Sequence, residues 1–385
     1  MRAEPVDSLP FVPRMDLWYR ANNHNNTLPA QYKDATLDQI LADLDLGYHA
    51  VIPDFQDLQN DTDDIDRALG LFSLWYMPWF TELAAVERIV SYDGDITTVE
   101  YHTPKGNIRT RVLYDEQMKK AGITITHILE HAIKSVEDIE PLIYIFDHLD
   151  IKINYPGYDR FAQQIGDRGV AVAYLSLAGS PMHFIMRDLV PLDKFFFMLF
   201  DNPQKMKLLA KSIERLYTQA AQIIAASSAD VVICGANYDA AVTNPPFFRQ
   251  YILPGLSNVA EILHAKGKLL LTHTDGENQG LCHLYREAGV DVADSVCPQP
   301  MTKLTLAEHR KAFDNQVTIW GAIPSVMLLP DSFSQPQFEK YMENLMTEID
   351  TGQRLILSVA DTLPPAADFE RILYIAQLAS NFKVR

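Results

Sequence analysis

A single α/β domain built as a TIM-type (β/α)8 barrel is the fold this sequence predicts, on three observations. From about residue 203 onward, helical stretches alternate with short apolar runs bounded by glycine, proline or polar residues. Five strand-then-helix units in succession imply a parallel sheet. No Gly-x-Gly-x-x-Gly or P-loop pattern follows any of these strands, so the nucleotide-binding open sheets lose their main support and a barrel is favoured.

Taken in order, the first two barrel strands are expected at Phe11 to Trp18 and His49 to Pro53, with a helix around 37 to 46 between them. Residues 93 to 114 then interrupt the cycle. They alternate as Ile96, Thr98, Glu100 and Ile108, Thr110, Val112 around Thr103-Pro104-Lys105-Gly106-Asn107, the pattern of a β-hairpin insertion that caps or flanks the barrel. Helical spacing returns around 135 to 148 and 158 to 167, and Val170 to Pro181 has strand character. The helix 203 to 228 carries Met206, Leu209, Ile213, Leu216, Ala220 and Ile223 on one face. Strands are then expected at Val231 to Gly235, 268 to 273, Val290 to Val296, Val317 to Gly321 and Arg354 to Val359. Helices alternate with them around 246 to 265, 279 to 288, 305 to 314, 335 to 349 and 367 to 382. No repeat, low-complexity tract or linker divides residues 1–385, so one domain is expected.

Composition excludes several partners. The chain has 385 residues, 48% hydrophobic and 22% charged, enough for a sizeable core. Its formal charge of -17 repels phosphate backbones and anionic membranes, and its 33 basic residues form no cluster, so neither nucleic acid nor a membrane is expected. The stretch from Met1 to Asp7 lacks the apolar core of a secretory signal, and a cytosolic location is the expectation. Cys234, Cys282 and Cys297 are too few, and odd in number, for a disulfide framework.

Chemistry concentrates where the apolar run Lys268-Leu269-Leu270-Leu271-Thr272 stops on His273-Thr274-Asp275-Gly276-Glu277. Positions i and i+2 share a face of an extended chain, so His273 and Asp275 can point at one ligand. Gly276 lets the backbone turn or approach a bound molecule. The pair can hold a metal, act as general acid and base, or simply hydrogen-bond to each other. Glu277 is a further candidate ligand, or a first-turn carboxylate favoured by the next helix's dipole. In a barrel, residues after each strand converge on one rim, which adds Asn237, Tyr238 and Asp239, then Ser295, Cys297 and Gln299, and finally Asp361 and Thr362.

Gly179-Ser180-Pro181-Met182-His183-Phe184, Asn237-Tyr238-Asp239 with Asn244-Pro245-Pro246-Phe247-Phe248, the His273-Thr274-Asp275-Gly276 strand end and Asp361-Thr362-Leu363-Pro364-Pro365 together resemble the uroporphyrinogen decarboxylase superfamily. The resemblance covers most of the chain, is strongest from about residue 170, and implies a TIM-type barrel. It also implies one of two chemistries. Cofactor-free decarboxylases of the superfamily bind a carboxylated tetrapyrrole with N-terminal arginines and a buried aspartate. Here the loop Trp18 to Pro29 keeps only Arg20 as a basic match, with asparagines and His24 where a second arginine would stand, and Asp54 corresponds to the aspartate. The methyltransferase branch exchanges methyl groups with a corrinoid on a separate protein and holds zinc with a His-x-Cys pair and a later cysteine. His273 matches that histidine, Asp275 stands at the first cysteine position and Asp361 close to the second.

The resemblance thus implies a divalent metal, zinc first, on His273, Asp275 and Asp361. Oxygen donors also admit iron, manganese or magnesium. Such a site suits polarising a methoxy oxygen at least as well as activating a thiol. The expectation is a methyltransferase acting on a small methylated molecule, with a corrinoid carrier protein and a homodimeric assembly. Catalytic roles fall to His273, Asp275 and Asp239, and substrate binding to Arg20, Asp54, His183, Asn237 and Tyr238. The alternatives are a decarboxylase and a tetrapyrrole- or corrinoid-binding barrel without catalysis.

Overall fold

A computed structural model describes residue 1, residues 7–60 and residues 64–384. The stretch 2–6, part of the segment read for a secretory signal, lies outside them. Twelve strands occur among the described residues: β1 (Trp79–Glu82), β2 (Glu87–Asp93), β3 (Ile96–Thr103), β4 (Gly106–Leu113), β5 (His127–Glu130), β6 (Asp150–Ile153), β7 (Val172–Ser176), β8 (Val231–Ala236), β9 (Leu269–His273), β10 (Val292–Val296), β11 (Thr318–Ile323) and β12 (Leu355–Val359). Strands β7 to β12 form one parallel sheet in sequence order. Every residue of β7, β8, β10 and β11 is buried. Parallel strands covered on both faces need such near-continuous apolar runs, which is why these segments read so clearly. Helices follow them in turn, among them Pro203–Ala226, Leu253–His264, Leu306–Ala312, Gln335–Glu348 and Phe369–Asn381.

The N-terminal expectations need correction. Phe11 to Trp18 is not a strand. Only Phe11 makes a bridge, to Leu357, and a helix runs over Asp16–Asn25. Met15, Trp18 and Ala21 are buried at a spacing of three, a helical stripe, and Trp18 stacks on Phe369 with ring centroids 5.6 Å apart. Pro10 and Pro13 flank the bridge and remove two backbone donors, so no ladder can extend from it. His49 to Pro53 is likewise no strand; a single bridge joins Tyr48 to Gly169.

These two segments still sit beside the parallel sheet. The Val12 N–H donates to Leu357 O at 2.9 Å and the Leu357 N–H to Pro10 O at 2.9 Å, along the β12 side. On the β7 side the Tyr48 N–H reaches Arg168 O at 2.8 Å and the Val172 N–H reaches Ala50 O at 3.2 Å. Between the two segments the Gly47 N–H donates to Phe11 O at 3.2 Å.

β3 and β4 pair antiparallel from Ile96 opposite Leu113 to Thr103 opposite Gly106, and β2 and β5 extend them to four strands. This sheet is larger than the hairpin the alternation suggests. Val99 and Tyr101 on β3, and Ile108 and Val112 on β4, form its buried face, and it packs on the helix Ile139–Asp147. No helix among the described residues is long and apolar enough to cross a membrane.

Candidate metal centre

His273 ends β9, and the parallel register places Asp294 of β10 directly beside it. A bulge interrupts β10 between Asp294 and Val296, with Ser295 at φ 68°. Bulges re-aim side chains. Here Asp294 Oδ2 lies 2.6 Å from His273 Nδ1, and the Ser295 hydroxyl accepts a hydrogen bond from the Asp361 N–H. Asn237, Ser295, Ala322 and Asp361 all have φ between 56° and 83°, uncommon for residues with a Cβ, and all lie at or just beyond the ends of β8, β10, β11 and β12. Strain of this kind gathers where a structure holds side chains for a purpose.

Three predicted residues meet at this rim. Ligand atoms of His273, Asp275 and Asp361 lie within 4.8 Å of one another. His273 Nε2 is 3.7 Å from Asp275 Oδ1 and 3.4 Å from Asp361 Oδ1. Neighbours hold each of the three side chains, in Asp361 through the same oxygen that faces His273. Asp294 occupies His273 Nδ1, and the Asn237 amide donates to Asp275 Oδ2 at 3.5 Å. Arg14 Nη1 donates to Asp361 Oδ1 at 3.0 Å. Asp275 Oδ1 is buried and has no hydrogen-bond partner among the described residues.

The electrostatics follow from this packing. Burial opposes charge on His273, but Asp275, Asp294 and Asp361 outweigh it and push the imidazole up to about 10. Burial would raise Asp294, yet hydrogen bonds from His273 and His49 hold it well below the usual carboxylate range. Asp361 is also lowered, because His273 and Arg14 overcome its burial. Asp275 is raised, by burial first and then by Asp361 and Asp294, with His273 opposing.

The donor set fits a divalent cation. An imidazole and two carboxylates from different strand ends, one of them offering the buried unpartnered Asp275 Oδ1, supply three ligands, the number that catalytic sites use. A carboxylate on the far nitrogen of a metal-binding histidine is the usual orienting partner, and Asp294 stands in that position. A cation there would displace the proton that His273 otherwise holds.

The other predicted residues lie elsewhere. Asp239 is spent on its own turn, accepting from the Ala241 N–H at 2.7 Å and the Glu277 N–H at 3.4 Å. Tyr238 is fully buried and its hydroxyl accepts from Thr272 at 3.1 Å. His183 is buried against Tyr238, accepts the Gly179 N–H on Nδ1 at 3.1 Å, and is pushed down to about 3 by burial and then by Arg187. Glu277 binds the backbone N–H groups of Gln279 and Lys303 at 2.8 and 3.0 Å, so it caps a turn and leaves the triad as it is. Cys297 is buried, with its thiol pushed up to about 12 by burial and then by Asp275 and Asp361.

Arg20 and Asp54 pair at 2.8 Å, and Arg20 also binds Asp16. They line a cavity of about 70 Å³ with Asp16, His49, Asp57 and Tyr76. Ion pairs run from this cavity to the metal corner: Asp54 to Arg20, Arg20 to Asp16, Asp16 to Arg14, and Arg14 to Asp361. Sequence reasoning missed Arg14, Asp16, His49 and Asp294. Asp294 alone carried a signal, as the one carboxylate inside the fully buried strand segment Val292 to Val296.

Residues 118–382 match the model of the uroporphyrinogen decarboxylase (URO-D) family. Comparison with curated proteins finds no match. Among solved structures, a methyltransferase from Methanosarcina mazei superposes with a TM-score of 0.54 at 13% sequence identity, over 98% of this chain and 94% of that one. At that identity the likeness is one of fold.

Proposed function

The chain belongs to the uroporphyrinogen decarboxylase family, and from that premise we propose that it is a metal-dependent methyltransferase. In this reading it demethylates a small methylated substrate and passes the methyl group to a corrinoid on a separate carrier protein. It works as a cytosolic homodimer, and the six-stranded sheet closes into a barrel through residues 10–12 and 48–50. The observation that carries the proposal is the way His273 and Asp275 are each tied at one atom, leaving Nε2 and Oδ1 turned to a shared point beside Asp361.

His273, Asp275 and Asp361 would hold the cation. When bound, it would supply a Lewis acid suited to polarising a methoxy oxygen or an anionic substrate. The chain's own residues prepare that point. Asp294 takes the Nδ1 proton in a hydrogen bond and so fixes which nitrogen faces the substrate. Asn237 orients the Asp275 carboxylate, and Arg14 offsets the charge of Asp361. Arg20, the residue a decarboxylase would use for substrate carboxylates, is already shared between Asp16 and Asp54 with Asp57 close by. A polycarboxylate would meet more like charge than opposite charge there, so decarboxylation has less support.

Elemental analysis of the purified protein tests the reading. A stoichiometric divalent metal is expected, lost in His273→Ala together with demethylation of methoxylated substrates in the presence of cobalamin. Metal-free protein with full activity would overturn it and leave His273 as a proton donor.

A further inference from the structure

The cavity beside Arg20 carries more negative than positive charge. Asp16, Asp54 and Asp57 line it together with a single guanidinium, that of Arg20. Arg20 is divided between Asp16 and Asp54, at 2.5 and 2.8 Å. Arg14 adds a second cation from outside the cavity, but it is shared between Asp16 and Asp361. Asp57 is left over, with no ion pair among the described residues. Solvent reaches this residue, yet the surrounding protein, and then Asp54, push its carboxyl up to about 6 against the pull of Arg20.

An independent observation comes from His49, which also lines the cavity. Its side chain is 3% exposed. Nε2 lies 3.4 Å from Asp294 Oδ1, and the buried Nδ1 has no hydrogen-bond partner among the described residues. Asp294 is held as a carboxylate and takes the Nε2 proton, so Nδ1 of the neutral ring is an acceptor with nothing to accept. An N–H brought by an occupant would remove the cost of burying it. Tyr76, Phe161 and Tyr174 add aromatic wall, with Tyr76 and Phe161 stacked at 4.5 Å between ring centroids. Rings beside carboxylates suit an alkylated cation. The volume of about 70 Å³ admits a group of a few heavy atoms, since one water needs about 10–15 Å³ on this measure. Two bridges join the cavity to the metal corner: Asp294 between His49 and His273, and Arg14 between Asp16 and Asp361.

We propose that this cavity is a subsite for an ammonium group on the substrate, with Asp57 as its counter-ion and His49 Nδ1 as the acceptor of one of its N–H groups. The substrate is then a small methoxylated amine, with its methoxy oxygen at the metal and its charged nitrogen in the cavity. The methoxy end rests on the demethylase reading; the ammonium end stands without it.

Titration calorimetry of the full chain, zinc-loaded and chelator-stripped, tests the subsite with three probes of similar size: 2-methoxyethylammonium, 1-methoxypropane and methoxyacetate. The ammonium is expected to bind at least about tenfold tighter than the other two in both forms of the protein. This comparison needs no variant, so it decides whether or not a variant folds. Asp57→Asn should abolish the advantage. His49→Gln keeps an amide donor for Asp294 and removes the Nδ1 acceptor. It should weaken 2-methoxyethylammonium by about tenfold and leave (2-methoxyethyl)trimethylammonium, which has no N–H, nearly unchanged. Equal binding of the three probes, no binding of the ammonium, or an advantage that survives Asp57→Asn overturns the proposal. So do equal losses for the two ammonium probes in His49→Gln, and displacement of the ammonium by an equal concentration of potassium, which would assign the cavity to an inorganic ion. An ammonium preference in a protein that holds no metal would overturn the demethylase reading alone; bound metal without the preference would overturn the subsite alone.

Discussion

At the residue scale the site depends on His273 presenting one defined nitrogen. Asp294 does this with a 2.6 Å hydrogen bond while also lying 3.4 Å from His49 Nε2. Asp294→Asn keeps the shape and removes the charge. Metal affinity, measured by competition with a chelating dye, should fall by about 10- to 100-fold; unchanged affinity would show that Asp294 does not orient the ligand. His183 supports a different prediction. Its folded pKa is pushed down to about 3 from an ordinary 6.5, so the unfolded chain takes up a proton first as the pH falls. The stability present above pH 6.5 is therefore lost progressively towards pH 3. Urea midpoints of His183→Asn should fall less steeply than the wild type over that window. His273 and Asp275 could be read together because alternation along one strand fixes their common face. No such rule links His273 to Asp294, whose approach is a matter of register between strands.

At the scale of elements, the strand ends hold the site because they depart from regular geometry. The bulge in β10 sets Asp294 and Ser295 to different neighbours, and β8 bulges as well, between Ile233 and Ala236. Gly235 lies in that bulge at φ +90°, where a Cβ would stand 1.8 Å from the Tyr238 hydroxyl. Tyr238 is packed by His183, Phe248 and Tyr285 and cannot retreat. Gly235→Ala should cost about 3 kcal/mol in urea unfolding, and a wild-type midpoint would mean that the β8 end yields more easily than its packing implies. The elements from β7 to the last helix were legible because each strand is a continuous apolar run and each helix a periodic one. The two N-terminal segments read as strands, yet each forms only an isolated bridge. Pro10 and Pro13 keep the first bridge from growing into a ladder, and apolar residues over 11–21 fit either an extended run or a helical stripe until Phe369 arrives to stack on Trp18.

At the scale of the whole molecule the candidate site joins distant parts of the chain. Arg14 and Asp361 are 347 residues apart in sequence, and the Leu363 N–H donates to Arg14 O at 2.9 Å beside their ion pair. A cation that binds only the assembled site should stabilise the fold by mass action. Stripping with a chelator should lower the melting temperature of the wild type by a few degrees, and restoring zinc should recover it. His273→Ala should respond to neither, and an equal response in both proteins would place the metal elsewhere. By itself the sequence determined the alternating α/β order, the family and the pairing of His273 with Asp275, because period and spacing are properties of adjacent residues. The resemblance already named Asp361 as the third corner; only the tertiary structure decided that Asp294 contacts His273, that Arg14 pairs with Asp361, and that Arg20 is spent on aspartates. These contacts depend on strand register and on where the chain's ends meet, and register is set by the packing of the whole sheet.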